Sequence, residues 1–298
     1  LMLILLVTMA ITMTVPEKQA PPPPTPLDWK PFIRLALMTA VFAAIILGLG
    51  QAIILFIHLF QNVSLHLGLV AMLGLAGLAA MLAAIVAGVW ASMRIGLGNR
   101  LAENHTFTWW VINRLAFLVG STNLGSFALY FLQARLGFVA EKAAGPTATL
   151  LMFVGVFILI SALPGGWLAD RFGRKPLVAW SGLMAAAGTV WVVLSPNLPL
   201  LYAGGVIIGV ATGIFYTANW ALGTDIVPQN QAGLFFGIAN LAGAGSGAIG
   251  AYIGGPIADQ ITHLVPSIPG AGYLVIFMIY AFLFLFSIVA LRQVKEPV

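Results

Sequence analysis

The sequence predicts an all-α, polytopic helical membrane protein, and three observations carry that prediction. Hydrophobic residues fill 61% of the 298 positions and charged residues only 7%, against about 25% charged in an ordinary soluble domain. The apolar residues gather into unbroken runs of about twenty residues or more, long enough to cross a ~30 Å hydrocarbon core as helix. The basic residues concentrate on alternate connections between those runs. Lipid also permits a closed barrel, because it too satisfies every backbone group internally. A barrel needs ~10-residue segments of alternating polarity, and these runs are longer and continuously apolar.

The elements follow in order. LMLILLVTMAITM, residues 1–13, is too short to span and has neither the basic start nor the small-residue cleavage site of a signal peptide. It reads as the end of a transmembrane helix that begins upstream, so the chain is expected to be the C-terminal part of something longer. Residues 14–31 contain four consecutive prolines, which exclude helix and favour an extended spacer. Eight apolar runs follow, at about 32–60, 67–93, 106–134, 147–168, 177–195, 200–222, 232–258 and 271–291. Their breakers include Gln61-Asn62, Gly145-Pro146, Ser195-Pro196-Asn197 and Pro266 to Gly270. The first two runs form a pair (32–93), and the remaining six form a bundle (94–298).

Alternating sides from run to run sorts the cations. With the turn at Asp170 to Lys175 placed in the cytoplasm, Lys18, Lys30, Arg34, Arg94, Arg100, Arg171, Arg174, Lys175, Arg292 and Lys295 fall inside. Only Arg135 and Lys142 fall outside, and Arg114 lies within a run. That bias obeys the positive-inside rule and predicts a multi-pass protein of the plasma membrane with the linker and charged turn cytoplasmic. The net charge of +5 is accounted for by topology, so no nucleic-acid partner is expected. The absence of cysteine excludes disulfides and thiolate chemistry, and four scattered histidines lack a His-x-x-x-His spacing, so neither metal nor cofactor is expected. No nucleotide-binding motif and no nucleophile–base constellation is visible, which argues against an enzyme.

The charged turn reads GGWLADRFGRKPL, Gly165 to Leu177. Gly166 and Gly173 suit a tight reversal between helices. Arg171, Arg174 and Lys175 hold the turn at one membrane face. Asp170 is expected to cap a helix N-terminus, such as the one opening at Ala232-Gly233, or to pair with a nearby Arg. The pattern Gly-x-Leu-Ala-Asp-Arg-x-Gly-Arg-Lys resembles the signature loop of the major facilitator superfamily. The resemblance implies that the turn joins the second and third helices of a six-helix half. Runs 106–134 through 271–291 would then be the C-terminal half, and residues 1–13 the last helix of the N-terminal half. Runs 32–60 and 67–93 would be an extra central pair, as in some fourteen-helix members. A second stretch, Asp225-Ile-Val-Pro228 followed by Gly-x-x-x-Gly-x-x-Asn, resembles the cytoplasmic turn of sugar–cation symporter branches. It departs from them in having Gln229, Asn230 and Gln231 where a basic residue usually follows the proline. A related branch serves bacteriochlorophyll and light-harvesting assembly.

Inside the runs, Arg114 is the most informative residue, because an ionisable group within a span is costly. It is either a site residue or a side chain snorkelling to the headgroups, with Asp225 and Asp170 as possible partners. Asn123, Tyr216, Asn219, Trp220 and Asn240 join it as expected solute contacts, with Asn123 and Asn240 read as deepest. Gly205, Gly209 and Gly213, and Gly243, Gly247, Gly250 and Gly254, each share a helix face and suit close helix packing.

The expected function is secondary active transport of a small polar solute, sugar-like in character, by alternating access. Gly166, Asp170, Arg171, Gly173, Arg174, Lys175 and Asp225 would form a conformational latch. The other reading is a non-transporting subunit or assembly factor in a larger membrane complex, such as a pigment–protein complex, with His58, His66 or His105 against a pigment. The expected partners are the bilayer, the solute, and either a missing N-terminal half or a partner chain.

Overall fold

The computed structural model describes residues 29–60, 66–98, 103–228 and 231–295, together with positions 9 and 14. Most of the expected helix end at 1–13 and the linker at 14–31 lies outside the described residues, as do Lys18, Arg100, Gln229 and Asn230. The chain divides into a unit of residues 1–33 and a unit of residues 34–298.

Among the described residues eight helices form, one for each of the eight apolar runs from 32 onward. They are α1 (Lys30–Phe60), α2 (His66–Leu97), α3 (His105–Leu136), α4 (Ala140–Phe172), α5 (Arg174–Leu194), α6 (Leu198–Ile226), α7 (Ala232–Leu264) and α8 (Ala271–Leu291). All eight are long and apolar enough to cross a membrane. Within lipid the backbone has no solvent to bond, so an apolar run closes its own hydrogen bonds as helix whatever its propensity. The packing is helix on helix, with α4 and α5 against α6, α3 and α5 against α8, and α7 against α3. The centre is aromatic. Phe117 stacks on Phe215 with ring centroids 3.6 Å apart, and Phe284 leans on Phe117 at 4.9 Å.

Glycines set how closely the helices approach. On α6, Gly209 lies against the backbone of Val154, and Gly213 against the Ile158 carbonyl and the Ser161 hydroxyl. A side chain at either position would push α4 away. On α7, Gly243, Gly247 and Gly250 face Leu118, Thr122 and Asn123 of α3, while Gly254 meets Tyr280 and Met81. In lipid, contact of this kind is the main association force. Another face of α7 receives α1, where the Phe42 ring fills the space left by Gly245 of α7 and Gly88 of α2. Gln51 Nε2 of α1 donates to the Tyr252 hydroxyl of α7 at 2.8 Å.

Two local expectations are corrected. Gly145-Pro146 does not separate two spans, because α4 begins at Ala140 and carries both Pro146 and Pro164 internally. The break lies at Gly137, whose φ of 68° ends α3 in the left-handed conformation. Pro146 removes one hydrogen bond from an early turn of α4, and membrane helices tolerate this where hydroxyls supplement the local backbone. Here Thr147 and Thr149 donate to the Ala143 and Gly145 carbonyls at 2.7 and 3.1 Å. The second correction concerns the charged turn. Gly173 alone makes the reversal, with φ of +92°, as the single residue between α4 and α5. Gly166 is helical, with open space where its side chain would be.

Candidate functional site

Two polar constructions stand out, one at the helix ends that carry the charged turn and one buried in the bundle. At the turn, Arg174 opens α5 and reaches the end of α6. Its Nη1 donates to the Ala221 carbonyl at 2.7 Å and contacts the Asp225 carboxylate, and its Nη2 is 3.8 Å from Asp170 Oδ1. Lys175 Nζ donates to the Val294 carbonyl, just after α8, at 2.5 Å. Two consecutive cations therefore tie the start of α5 to the ends of α6 and α8. Asp170 is the marginal partner. Its side chain is 74% exposed, against 38% for Asp225, and water screens so open a pair. Among the described residues no hydrogen bond joins Asp170 to the start of α7, and the N-cap there, Gln231, makes no side-chain capping bond of its own. Arg171 points elsewhere, over the Trp167 and Phe172 rings at 5.3 and 5.6 Å.

The buried construction joins α3, α6 and α8. Asn113 Nδ2 donates to the Ser287 carbonyl of α8 at 2.8 Å, and Asn113 Oδ1 accepts from Asn219 Nδ2 at 2.9 Å. Asn219 Oδ1 then accepts from Arg114 Nη1 at 3.0 Å. Only one orientation of the Asn219 amide serves both neighbours, because a guanidinium can only donate. Trp110 Nε1 donates to the Asn219 backbone carbonyl at 3.1 Å. The Arg114 guanidinium lies 4.2 Å from the Trp220 ring centre and 5.9 Å from that of Trp110, a cation–π arrangement. Arg114 is 6% exposed, and its Nε is buried with no acceptor. Snorkelling therefore does not describe it, and neither Asp170 nor Asp225 pairs with it, both being engaged by Arg174.

Of the expected solute contacts, Arg114, Asn219 and Trp220 come together. Tyr216, on the same helix, lies within electrostatic reach of Arg114. Neither Asn123 nor Asn240 is hydrogen-bonded to them among the described residues. Asn123 is fully buried about 13 Å farther along α3, and its Nδ2 donates to the Val119 and Ser246 carbonyls at 2.9 and 3.0 Å, bonding α3 to α7. Asn240 is exposed on α7. Asn113 and Trp110 complete the centre. The sequence shows them only as polar and aromatic positions in an apolar run, and their adjacency to Arg114 on the same helix is the one available signal. His105 Nε2 accepts from Trp109 Nε1 at 2.9 Å.

A family model described as the Major Facilitator Superfamily matches residues 110–298, a stretch holding both constructions. The chain belongs to the Major Facilitator Superfamily. It is an integral, multi-pass membrane protein of a transporter family. Among similar proteins of this superfamily is the minor myo-inositol transporter IolF of Bacillus subtilis, 34% identical over 120 residues, covering 40% of this chain and 27% of that one. The human facilitated glucose transporter member 12 of solute carrier family 2 is 29% identical over 35% of this chain and 17% of its own length. The class H tetracycline resistance protein of Pasteurella multocida is 32% identical over 43% of this chain and 32% of its own length. The matched segments thus span less than a third of each of these relatives.

Proposed function

We propose that this chain carries the C-terminal, solute-contacting half of a secondary active transporter for a small polar solute. The buried Arg114–Asn219–Trp220 centre carries this reading, because a charge and oriented amides set inside a membrane bundle are costly unless they serve a passage or a bound solute. The names of two relatives, a myo-inositol and a glucose transporter, fit a polar, sugar-like cargo. The cationic turn belongs in the cytoplasm of a plasma-membrane protein by the positive-inside rule. In alternating access the solute meets each side in turn as bundles rock. Arg174 and Lys175, bridging α5 to the ends of α6 and α8, act as a latch that keeps these ends together.

The test is solute exchange in proteoliposomes holding the complete protein. Asp225→Asn is expected to lower exchange about tenfold while Asp170→Asn stays near the parent rate, because Asp225 takes the close contact and loss of a partly buried pair is worth ~1 kcal/mol or somewhat more. Equal rates for all three proteins would remove the latch. Absence of exchange by the parent protein with any sugar, polyol or organic anion would remove the transport reading.

A further inference from the structure

Arg114 is the charged group set deepest in the described spans, nine positions from the start of α3 at His105, or about 13 Å along its axis. A guanidinium so placed needs a counter-charge, since burying an unpaired ion is far more costly than burying a paired one. Every contact it has among the described residues is neutral, namely the Asn219 amide, the Trp220 and Trp110 rings, and Tyr216 nearby. Among the described residues both ion pairs belong to Arg174. The guanidinium is also held in place. The Ser287–Asn113–Asn219 relay fixes one Nη, the Trp220 face fixes its plane, and Nε is left without an acceptor. A fork of donors fixed in a low-dielectric setting, lacking only an anion, suits a carboxylate or phosphate oxygen. Trp220 and Tyr216 are partly exposed while Arg114 and Asn219 are buried, so the rings border the approach to the charge.

We propose that Arg114 is an anion-recognition residue and that the solute is a small organic anion. Its carboxylate or phosphate lies on the free donors of Arg114, and its remainder lies against Trp220. Identifying that anion as the cargo rests on the transport reading, whereas the anion site does not.

The experiment follows thermal unfolding of the complete purified protein at constant ionic strength. The probes are inorganic phosphate, succinate and glucose 6-phosphate, with glucose and myo-inositol as neutral counterparts. At least one anion is expected to raise Tm by several degrees, as a ligand specific to the folded state does, and the neutral compounds are expected to leave it unchanged. Arg114→Gln should abolish the response, and Arg114→Lys should keep a weakened one, since an ammonium retains charge without the fork. Asn219→Asp supplies a carboxylate beside Arg114. It gives up the donor to Asn113 Oδ1, so its own Tm is not the readout; it should remove the anion response, which keeps the test decisive if Arg114→Gln fails to fold. The proposal is overturned if no anion shifts the parent Tm. It is equally overturned if the shift survives both Arg114→Gln and Asn219→Asp, or if the neutral sugars bind as well as the anions. Uptake of the same probe into proteoliposomes separates the two readings. Arg114-dependent binding without uptake keeps the anion site and removes transport, whereas uptake indifferent to Arg114 does the reverse.

Discussion

Asn219 shows how one side chain can organise a buried charge. It accepts from Arg114, donates to Asn113, and its backbone carbonyl takes the Trp110 indole. Replacing it by Leu keeps roughly the volume but strands a guanidinium donor and the Asn113 oxygen where no solvent reaches. We expect Asn219→Leu to cost about 2–4 kcal/mol, read as a lower unfolding temperature of the purified protein and a wider detergent sensitivity. A change within error would mean the relay does not hold Arg114. Arg114 and Asn219 stand out in the sequence, as a charge and an amide inside apolar runs. That Asn113 links them to α8, and that Asn123 faces backbone carbonyls instead, was not legible there, since the rotation of each helix against its neighbours is set by packing.

Among the helices, the α4–α6 seam makes the sharpest contrast. Gly213 sits against the Ile158 carbonyl and Ser161 hydroxyl, whereas Gly237 has open space where a side chain would go. Gly213→Leu is therefore expected to separate α4 from α6 and lower stability by 2 kcal/mol or more, on the order of an overpacked core. Gly237→Leu should change it by less than about 1 kcal/mol. Thermal unfolding of the two variants side by side decides this, and equal losses would reject the seam. Four-residue spacing announced a glycine face, but only the fold shows that its partner is α4. The prolines mislead for a related reason. Pro146 is an ordinary breaker in water, yet α4 runs through it, because a membrane span keeps its remaining hydrogen bonds and draws on nearby threonine hydroxyls.

Across the molecule, the pattern of ends is the feature that topology requires and contacts support. Arg174 reaching Asp225, and Lys175 reaching Val294, put the α4–α5 turn and the ends of α6 and α8 at one end. Gly270, before α8, packs on the Arg135 backbone at the end of α3, at the other. An even number of crossings from α1 to α8 follows. A tag at Phe172 is expected to be unreachable by a membrane-impermeant label in intact cells and reachable after permeabilisation, with a tag at Gly137 behaving oppositely. The reverse pattern would invert the orientation assigned by the basic residues.

Hydropathy and charge order by themselves determined that this chain is helical, how many described spans it has and where most of them stop. Solvation in lipid depends on composition along the chain and hardly on what each helix touches. Only the tertiary structure decided that Asp225 rather than Asp170 is the close partner of Arg174 and that Arg114 is buried among neutral groups. Those outcomes depend on distances between residues about 50 to 175 positions apart in sequence, which are fixed when glycine faces and aromatic rings select one helix arrangement.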